Sequence, residues 1–336
     1  MSDAASAPAG PTATTAEVLE TLRRNDHILV AAHGNPDGDA MGATSAMGWL
    51  LHAMGKQFAL YNATGMPRHL EWLNLPVPLH TRLDALPFHP SLIVALDSGD
   101  PWRLGRELAL VFAGYPSLNL DHHLGNPNYA SLGNLVDPDM AAAGQIVATL
   151  ADAAGIPLTG GLAEGVYLSL IADTGSFSFS NTSPEVFELT ARMVRLGLDV
   201  EDLRSKYDSQ WTLAKANLWG HLLQSIRLED EGRIALVEVH LHDFAKTGAA
   251  QCDLEQFVEL MRCIVGVRVA LLVREDAPDT IKISLRSRGT DDVRSVAAIF
   301  GGGGHLHAAG ATIDMPREQL VPLLLDHIRN VLHGAP

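Results

Sequence analysis

The stretch HILVAAHGNPDGDAMGATSAMGWLLHAMG, residues 27–55, decides the fold of the first half of this chain. It opens with an apolar run between His27 and His33 and continues through a loop of Gly, Pro and Asp. From Asp39 to Gly55, small and apolar residues follow at helical spacing. A buried strand, a tight loop and a helix form the unit from which parallel α/β sheets are built. The segment therefore predicts the first strand and the first crossover helix of such a sheet.

Further short apolar runs follow this unit, at QFALYNA (57–63), SLIVALD (91–97) and SLNLDHH (117–123). Continuous apolar runs of this length are typical of strands that are buried on both faces of a parallel sheet. Residues from about 142 to 225 have helical periodicity instead. The pattern predicts a doubly wound parallel α/β sheet followed by a helical region.

The pattern changes again at Arg227, where strand-like runs such as RIALVEVH and TIKISLRSRG begin. This change predicts a smaller α+β domain at the C-terminus. The full division that we predict is a disordered leader at 1–16, an α/β domain at 17–205, a helical linker at 206–226 and an α+β domain at 227–336.

Composition restricts the partners of this chain of 336 residues. Its 24 Lys and Arg stand against 39 Asp and Glu, a formal net charge of −15. Proteins that coat long or duplex nucleic acid neutralise many phosphates with basic side chains, so the balance argues against that class and leaves small anionic substrates open. The N-terminus does not read as a secretory signal, and no apolar run approaches the roughly 20 residues that span a bilayer. We expect a cytoplasmic protein without membrane contact.

Metal-binding side chains follow the predicted strands at their carboxyl ends, where open α/β sheets bind ligands. They are His33, Asp37 and Asp39 after the first strand, Asp97 at the end of SLIVALD, and Asp121 at the end of SLNLD with His122 and His123 directly after it, while Asp173 closes a later apolar segment. So many carboxylates repel one another unless cations lie between them. Carboxylates and imidazoles without thiolates favour Mn²⁺ or Mg²⁺, and two such ions roughly 3.5–4 Å apart can activate a water. Taken singly, Asp39 could instead cap its helix, and Asp97 could form an Asx turn.

The C-terminal domain carries its own anion-binding signals. Between residues 262 and 288 there are six basic and three acidic side chains, and Ser284, Arg286 and Arg288 fall on one face of a predicted strand. The run GGGGH, 301–305, allows close backbone approach to a ligand. Solvated strand charges and a flexible hinge are the alternatives for these two features.

The segments HGNPDGDAMGA, LDSGD, LDHH and IADTGSF resemble the four signature motifs of the DHH phosphoesterase superfamily. GGGGHLHAAG, 301–310, resembles the glycine-rich signature of the DHH-associated C-terminal domain. The resemblance covers nearly the whole chain after the leader. It is greatest to the two-domain type that hydrolyses short RNA and dephosphorylates pAp, the 3′,5′-bisphosphate of adenosine.

This resemblance implies a site with two Mn²⁺ ions, for which Mg²⁺ is the alternative. His33 and Asp37 would bind one ion, Asp39, His122 and Asp173 the other, and Asp97 both. Asp121 would orient a ligand histidine, and His123 would face the scissile phosphate with help from Asn35 and Asn126. The terminal nucleotide would be bound by Ser284, Arg286, Arg288, Gly302, Gly303, Gly304 and His305.

The function implied is hydrolysis of short single-stranded RNA to mononucleotides, and of pAp to AMP, by a metal-activated water. A soluble cyclic di-AMP or pApA phosphodiesterase shares the same motifs and stays open as an alternative. A nucleotide-sensing module without catalysis is the alternative from another class, but it predicts a broken ligand set. A homodimer is also left open by the sequence.

Overall fold

The protein is described here by a computed structural model, in which residues 10–208, 211–254 and 256–334 are described. The chain divides into two compact units, Met1–Gln210 and Trp211–Pro336, called below the N-terminal unit and the C-terminal unit. Each unit has its own sheet and its own apolar core. Within the described ranges, no helix combines the length and the apolar character that a membrane span requires.

The N-terminal unit is built on a parallel sheet. Its strands are β1 (Ile28–Ala32), β2 (Phe58–Tyr61), β3 (Leu79–His80), β4 (Leu92–Leu96), β5 (Ser117–Asp121) and β6 (Gly133–Val136). Its helices are α1 (Thr15–Arg24), α2 (Gly38–Ala53), α3 (Arg106–Phe112), α4 (Ala143–Ala154), α5 (Gly160–Asp173), α6 (Pro184–Arg195) and α7 (Val200–Asp208). The strand order is β3-β2-β1-β4-β5-β6, and every pairing is parallel. The predicted doubly wound sheet is confirmed, and its order reverses between β1 and β4.

Both faces of this sheet are covered, which explains the uninterrupted apolar strands. Along β1, Ile28 and Val30 join the core formed with α2, α4 and α5, while Leu29 joins a second cluster with Leu108 and Phe112 of α3. Every residue of β1 and of β4 is buried. Alternation between polar and apolar residues is absent from these strands because neither face meets water.

Helices α2 and α5 cross unusually closely, and glycines permit the approach. A Cβ added at Gly42 would lie 2.6 Å from the carbonyl oxygen of Gly165, and one at Gly165 would lie 2.6 Å from that of Gly42. Such distances exclude any side chain at either position. The small-residue stretch GDAMGA that opens α2 therefore serves this crossing, which joins two helices that carry candidate ligands.

The predicted leader, 1–16, is too long at its C-terminal end. Residues 1–9 lie outside the described ranges, but the N–H groups of Gly10 and Ala13 donate to the carbonyls of Asn128 and Asn134. Helix α1 then begins at Thr15, because Thr14 and Glu17 form a reciprocal capping box.

The C-terminal unit has a mixed sheet with helices. Its strands are β7 (Arg227–Glu229), β8 (Ile234–Val239), β9 (Val269–Ala277), β10 (Thr280–Ser287), β11 (Gly303–His305) and β12 (Ala308–Asp314). Its helices are α8 (Leu213–Ser225), α9 (Leu241–Thr247), α10 (Phe257–Met261), α11 (Val293–Ile299) and α12 (Arg317–His333). The order is β11-β12-β10-β9-β8-β7, with β8 and β9 parallel and the other pairings antiparallel. This arrangement confirms the predicted second α+β domain.

The predicted linker, 206–226, needs correction. Residues 206–208 still belong to α7, and residues 209 and 210 lie outside the described ranges. Helix α8 is part of the C-terminal unit, because Leu218, Trp219 and Leu222 pack into one cluster with Val237 and Phe257. Its apolar face gave a helical pattern in the sequence but no sign of the partner that buries it.

Candidate metal centre

The candidate ligands lie where the strand order of the N-terminal unit reverses. His33 follows β1, Asp97 follows β4, and Asp121 ends β5. Asp37 caps α2, since its Oδ1 accepts from the N–H groups of Asp39 and Ala40 at 3.0 Å each. The sequence allowed Asp39 to cap this helix, but the cap is Asp37. Helix α2 starts directly over the crevice as a result.

These side chains form two neighbouring groups that share Asp97. In the first, His33 Nε2 lies 3.4 Å from Asp97 Oδ2 and 3.8 Å from Asp37 Oδ1. In the second, His122 Nε2 lies 3.2 Å from Asp173 Oδ2, 3.3 Å from Asp39 Oδ2 and 3.6 Å from Asp97 Oδ1. The potential ligand atoms of His33, Asp37 and Asp97, and those of Asp39, His122 and Asp173, all lie within 4.8 Å of one another in each set. All six predicted ligands are therefore brought together.

Divalent cations fit these groups chemically. Asp97 Oδ1 and His122 Nε2 are buried atoms without a hydrogen-bond partner among the described residues. The other ring nitrogen of each ligand histidine faces a backbone carbonyl, with His33 Nδ1 3.0 Å from Gly34 O and His122 Nδ1 3.2 Å from Met140 O. Such contacts orient an imidazole so that Nε2 is presented to a metal. Oxygen and nitrogen donors without sulfur suit Mn²⁺ or Mg²⁺.

The backbone at Asp97 is held in an uncommon conformation. Its φ is +50°, in the left-handed region that non-glycine residues rarely adopt, and the residue is almost completely buried. Strain of this kind persists where the surroundings fix the residue, and it clusters at functional sites. The residue held in this conformation has its carboxylate between the two groups, 3.4 Å from His33 Nε2 and 3.6 Å from His122 Nε2.

Charge balance in the cluster is carried by the imidazoles. Burial alone would lower the pKa of His33, but its contacts with Asp37 and Asp97 raise that pKa to about 10. Burial would likewise lower the pKa of His122, yet Asp173, Asp39 and Asp97 raise it far above the ordinary value. Burial raises the pKa of Asp39, with the charge of Asp97 adding to the effect. Divalent ions would replace the protons in neutralising these carboxylates.

Asp39 is oriented by groups that the sequence did not reveal. It is fully buried within α2, and its Oδ2 accepts from the N–H of Ala143 at 2.9 Å, at the start of α4. Its Oδ1 accepts from the hydroxyl of Ser169, which in turn accepts from the N–H of Gly144 at 2.8 Å. The sequence offered one signal of this contact, the single Ser in the apolar segment LSLIAD, but that segment was interpreted only as part of a helix.

Asp121 and His123 form a pair beside the two groups, and His123 also belongs to a third possible ligand set with Asp97 and His122, its Nδ1 lying 3.4 Å from Asp97 Oδ1. Asp121 Oδ1 lies 2.8 Å from His123 Nδ1, and Asp121 is the main reason that the pKa of His123 is raised. The resemblance implied that Asp121 orients a ligand histidine. The structure places Asp121 against the ring of His123, and Asp121 Oδ1 also accepts from the backbone N–H of His122 at 2.9 Å, while the ring of His122 faces the carbonyl of Met140.

Asn126 lines a cavity together with His123, and its side-chain amide is bonded within the protein. Its Nδ2 donates to Asp121 Oδ2 at 2.5 Å and to Asn119 Oδ1 at 2.7 Å, while its Oδ1 accepts from the N–H of Asn128 at 2.9 Å. These bonds use the donors and the acceptor of the amide within the protein. Asn35 differs, because it is exposed in the loop before α2 with φ of +50°.

The predicted substrate clamp lies in the C-terminal unit. Ser284 and Arg286 share one face of β10, as predicted, but the strand ends at Ser287 and Arg288 lies beyond it. Arg286 Nε donates to Glu259 Oε1 at 2.5 Å, so this guanidinium already has a carboxylate partner.

The glycine run forms a strand of a hairpin. Gly303, Gly304 and His305 make up β11, an exposed edge strand that pairs with β12. A Cβ at Gly302 would lie 2.1 Å from the carbonyl oxygen of Gly310, so glycine is required there by the hairpin itself. The pairing with β12 disfavours a flexible hinge at residues 303–305.

Comparison with known proteins adds a similarity over almost the whole length. Residues 27–170 match the family model "DHH family, N-terminal domain", and residues 234–334 match "DHHA1 domain". A Thermus thermophilus protein named "Bifunctional oligoribonuclease and PAP phosphatase NrnA" is 33% identical over 321 residues, which cover 95% of this chain and 94% of that one. A Bacillus subtilis protein of the same name is 26% identical over 308 residues, with 88% and 92% covered.

A solved structure is similar along the same length. The crystal structure of an exopolyphosphatase-related protein from Bacteroides fragilis has a TM-score of 0.85 and 25% identity. It covers 94% of this chain and 95% of its own.

Proposed function

This chain belongs to the DHH family of phosphoesterases, and we propose that it hydrolyses short single-stranded RNA to mononucleotides and pAp to AMP. The observation that carries the proposal is the pair of ligand groups on either side of Asp97, whose carboxylate lies 3.4 Å from His33 Nε2 and 3.6 Å from His122 Nε2. The Thermus and Bacillus relatives, whose names state both activities, support the choice of substrates. The ligand set is complete, which disfavours a sensing module without catalysis.

In this proposal, His33 and Asp37 would hold one divalent ion, Asp39, His122 and Asp173 would hold the other, and Asp97 would contribute to both. When bound, the ions supply charge neutralisation and an activated water. We take Mn²⁺ as the ion, with Mg²⁺ as the alternative, and a cytoplasmic location.

His123 has the role of stabilising charge on the phosphoryl group. Asp121 accepts from Nδ1 of its ring and favours the protonated imidazole, which leaves Nε2–H as a donor. A cationic donor is stronger than a neutral one where negative charge develops. The side chain of His123 is about one third exposed, so a substrate can reach it.

The C-terminal unit is assigned the terminal nucleotide of the substrate, through Ser284, Arg286, Arg288, Gly302, Gly303, Gly304 and His305. Binding through Arg286 exchanges its contact with Glu259 for one with a phosphate. Arg286→Ala should therefore raise KM and leave Mn²⁺ binding unchanged. An unaltered KM would exclude this role.

The proposed function is tested with a substrate panel of di- to pentanucleotide RNA, pAp and cyclic di-AMP, each with Mn²⁺ and with Mg²⁺. We expect mononucleotides from RNA and AMP from pAp. Asp97→Ala should lower turnover by about a thousandfold or more, since it removes a ligand from both groups, while circular dichroism shows a retained fold. No turnover of either RNA or pAp by the unaltered protein would refute the proposal, and preferential turnover of cyclic di-AMP would favour the phosphodiesterase alternative.

A further inference from the structure

Trp102 is an exposed aromatic side chain that the proposed function does not use. It lies in a short 3-10 helix, Pro101–Leu104, and its side chain is 60% exposed. Tryptophan is highly buried on average, so an indole this accessible is uncommon on a surface without a partner. The sequence LDSGDPWRLG places it five positions after Asp97.

The segment that carries Trp102 borders the metal centre. The carbonyl of Arg103 accepts from the N–H of Gly34 at 2.6 Å, directly after His33. A Cβ at Gly99 would lie 3.9 Å from Asp121 Oδ2. The segment is thus fixed against the loop after β1 and beside the end of β5.

The indole is not needed to hold this segment in place. Asp100 Oδ1 accepts from the N–H of Trp102 at 2.7 Å and caps the 3-10 helix, Pro101 follows the cap, and Leu104 is fully buried. All of these contacts use the backbone of Trp102 or other side chains. Removal of the ring should therefore leave the fold intact.

We propose that the ring of Trp102 stacks on a nucleobase of the RNA substrate other than that of its terminal nucleotide. This inference rests on the proposed function, in which residues of the C-terminal unit bind the terminal nucleotide. Aromatic side chains are sequence-tolerant platforms for single-stranded bases, and each stacked base contributes enough to change affinity several-fold to a hundredfold. Trp102 is then a positioning residue that favours oligonucleotides, because pAp has only one base.

The experiment compares kcat and KM on a trinucleotide RNA and on pAp for the unaltered protein, Trp102→Ala and Trp102→Phe. Trp102→Ala should raise KM for RNA at least about fivefold, with kcat little changed, and should alter KM for pAp less than about twofold. Trp102→Phe should recover most of the loss, since it retains an aromatic face. Leu110→Ala, which removes a 66% exposed side chain from α3, is the matched control and should change neither substrate.

The outcomes separate this inference from the proposed function. If Trp102→Ala raises KM equally for RNA and pAp, or leaves KM for RNA unchanged, the role of Trp102 is overturned while the proposed function stands. If Trp102→Ala changes the oligomeric state in size-exclusion chromatography but leaves RNA hydrolysis unchanged, Trp102 is an interface residue, and its proposed role in RNA binding is overturned. An unaltered protein inactive on both substrates refutes the function, and this inference with it.

Discussion

At the scale of single residues, the two proposed ligand histidines differ from His123 in the group that orients the ring. His33 and His122 are oriented by backbone carbonyls, which leaves their Nε2 atoms to the carboxylates. His123 is oriented by the carboxylate of Asp121, which favours its protonated form. Neighbouring histidines of the LDHH motif thus have different chemistry because their Nδ1 atoms meet different acceptors.

Asp121→Asn tests the role of the protonated His123. The carboxylate is the largest influence raising the pKa of His123, so its neutralisation should lower that pKa. If the imidazolium is required, activity at high pH is lost as His123 deprotonates, and this loss should begin at a lower pH in the variant. The measurement is kcat against pH on pAp, with the exposed Asp152→Asn on α4 as control. If kcat falls at the same high pH in Asp121→Asn as in the unaltered protein, the proposed role of His123 is contradicted.

Ser169→Ala tests the support of Asp39. The buried hydroxyl donates to Asp39 and accepts from the N–H of Gly144, so its removal leaves both groups less satisfied. We expect a loss of about 1–3 kcal/mol in the free energy of unfolding, measured with urea, and a weaker affinity for Mn²⁺. Thr149→Ala removes only a local hydroxyl contact within α4 and should cost less. Equal effects of the two variants would show that the contact with Asp39 is unimportant.

At the scale of elements, the sequence predicted the central strands and missed the marginal ones. Strands β1, β2 and β4 were visible because burial on both faces produces continuous apolar runs. Strand β3 has two half-buried residues at the sheet edge, and β6 begins at a glycine, so neither has a pattern of its own. The same limit applies to the site. The motifs placed the six predicted ligands at strand and helix ends, but gave no sign of the carbonyl of Met140 or of the hydroxyl of Ser169.

Gly42→Ala tests whether the close crossing of α2 and α5 maintains the site. The new methyl would overlap the backbone of α5 and force the helices apart, and those helices carry Asp39 and Asp173. We expect the variant to lose about 2 kcal/mol or more of unfolding free energy and to bind Mn²⁺ more weakly. Gly220→Ala on α8 is the matched control, since open space surrounds its Cβ and alanine should stabilise that helix by up to about 1 kcal/mol. Similar behaviour of the two variants would contradict the packing argument.

For the whole molecule, stability and metal binding are linked through protons. The pKa of His33 is raised from 6.5 to about 10 in the metal-free fold, so its charge contributes stability that is fully present below pH 6.5 and is lost as the pH rises through about 10. Metal binding requires the neutral imidazole and releases this proton, so the affinity for Mn²⁺ should increase with pH, by up to about tenfold per unit for each proton released.

The prediction is therefore that pH acts in opposite directions on the metal-free and metal-loaded forms. Between pH 6.5 and 8.5, the melting temperature of the chelated protein should fall. Over the same range, the increase in melting temperature produced by a fixed Mn²⁺ concentration should become larger. At a Mn²⁺ concentration a hundredfold above Kd, this stabilisation is about 2.7 kcal/mol. Calorimetric titration in buffers of different ionisation enthalpy counts the protons released. In Asp97→Ala, which lacks the shared carboxylate, Mn²⁺ should raise the melting temperature only slightly at any pH. Mn²⁺ affinity that does not change with pH would mean that His33 is not a ligand, because a coordinated imidazole has to give up its proton.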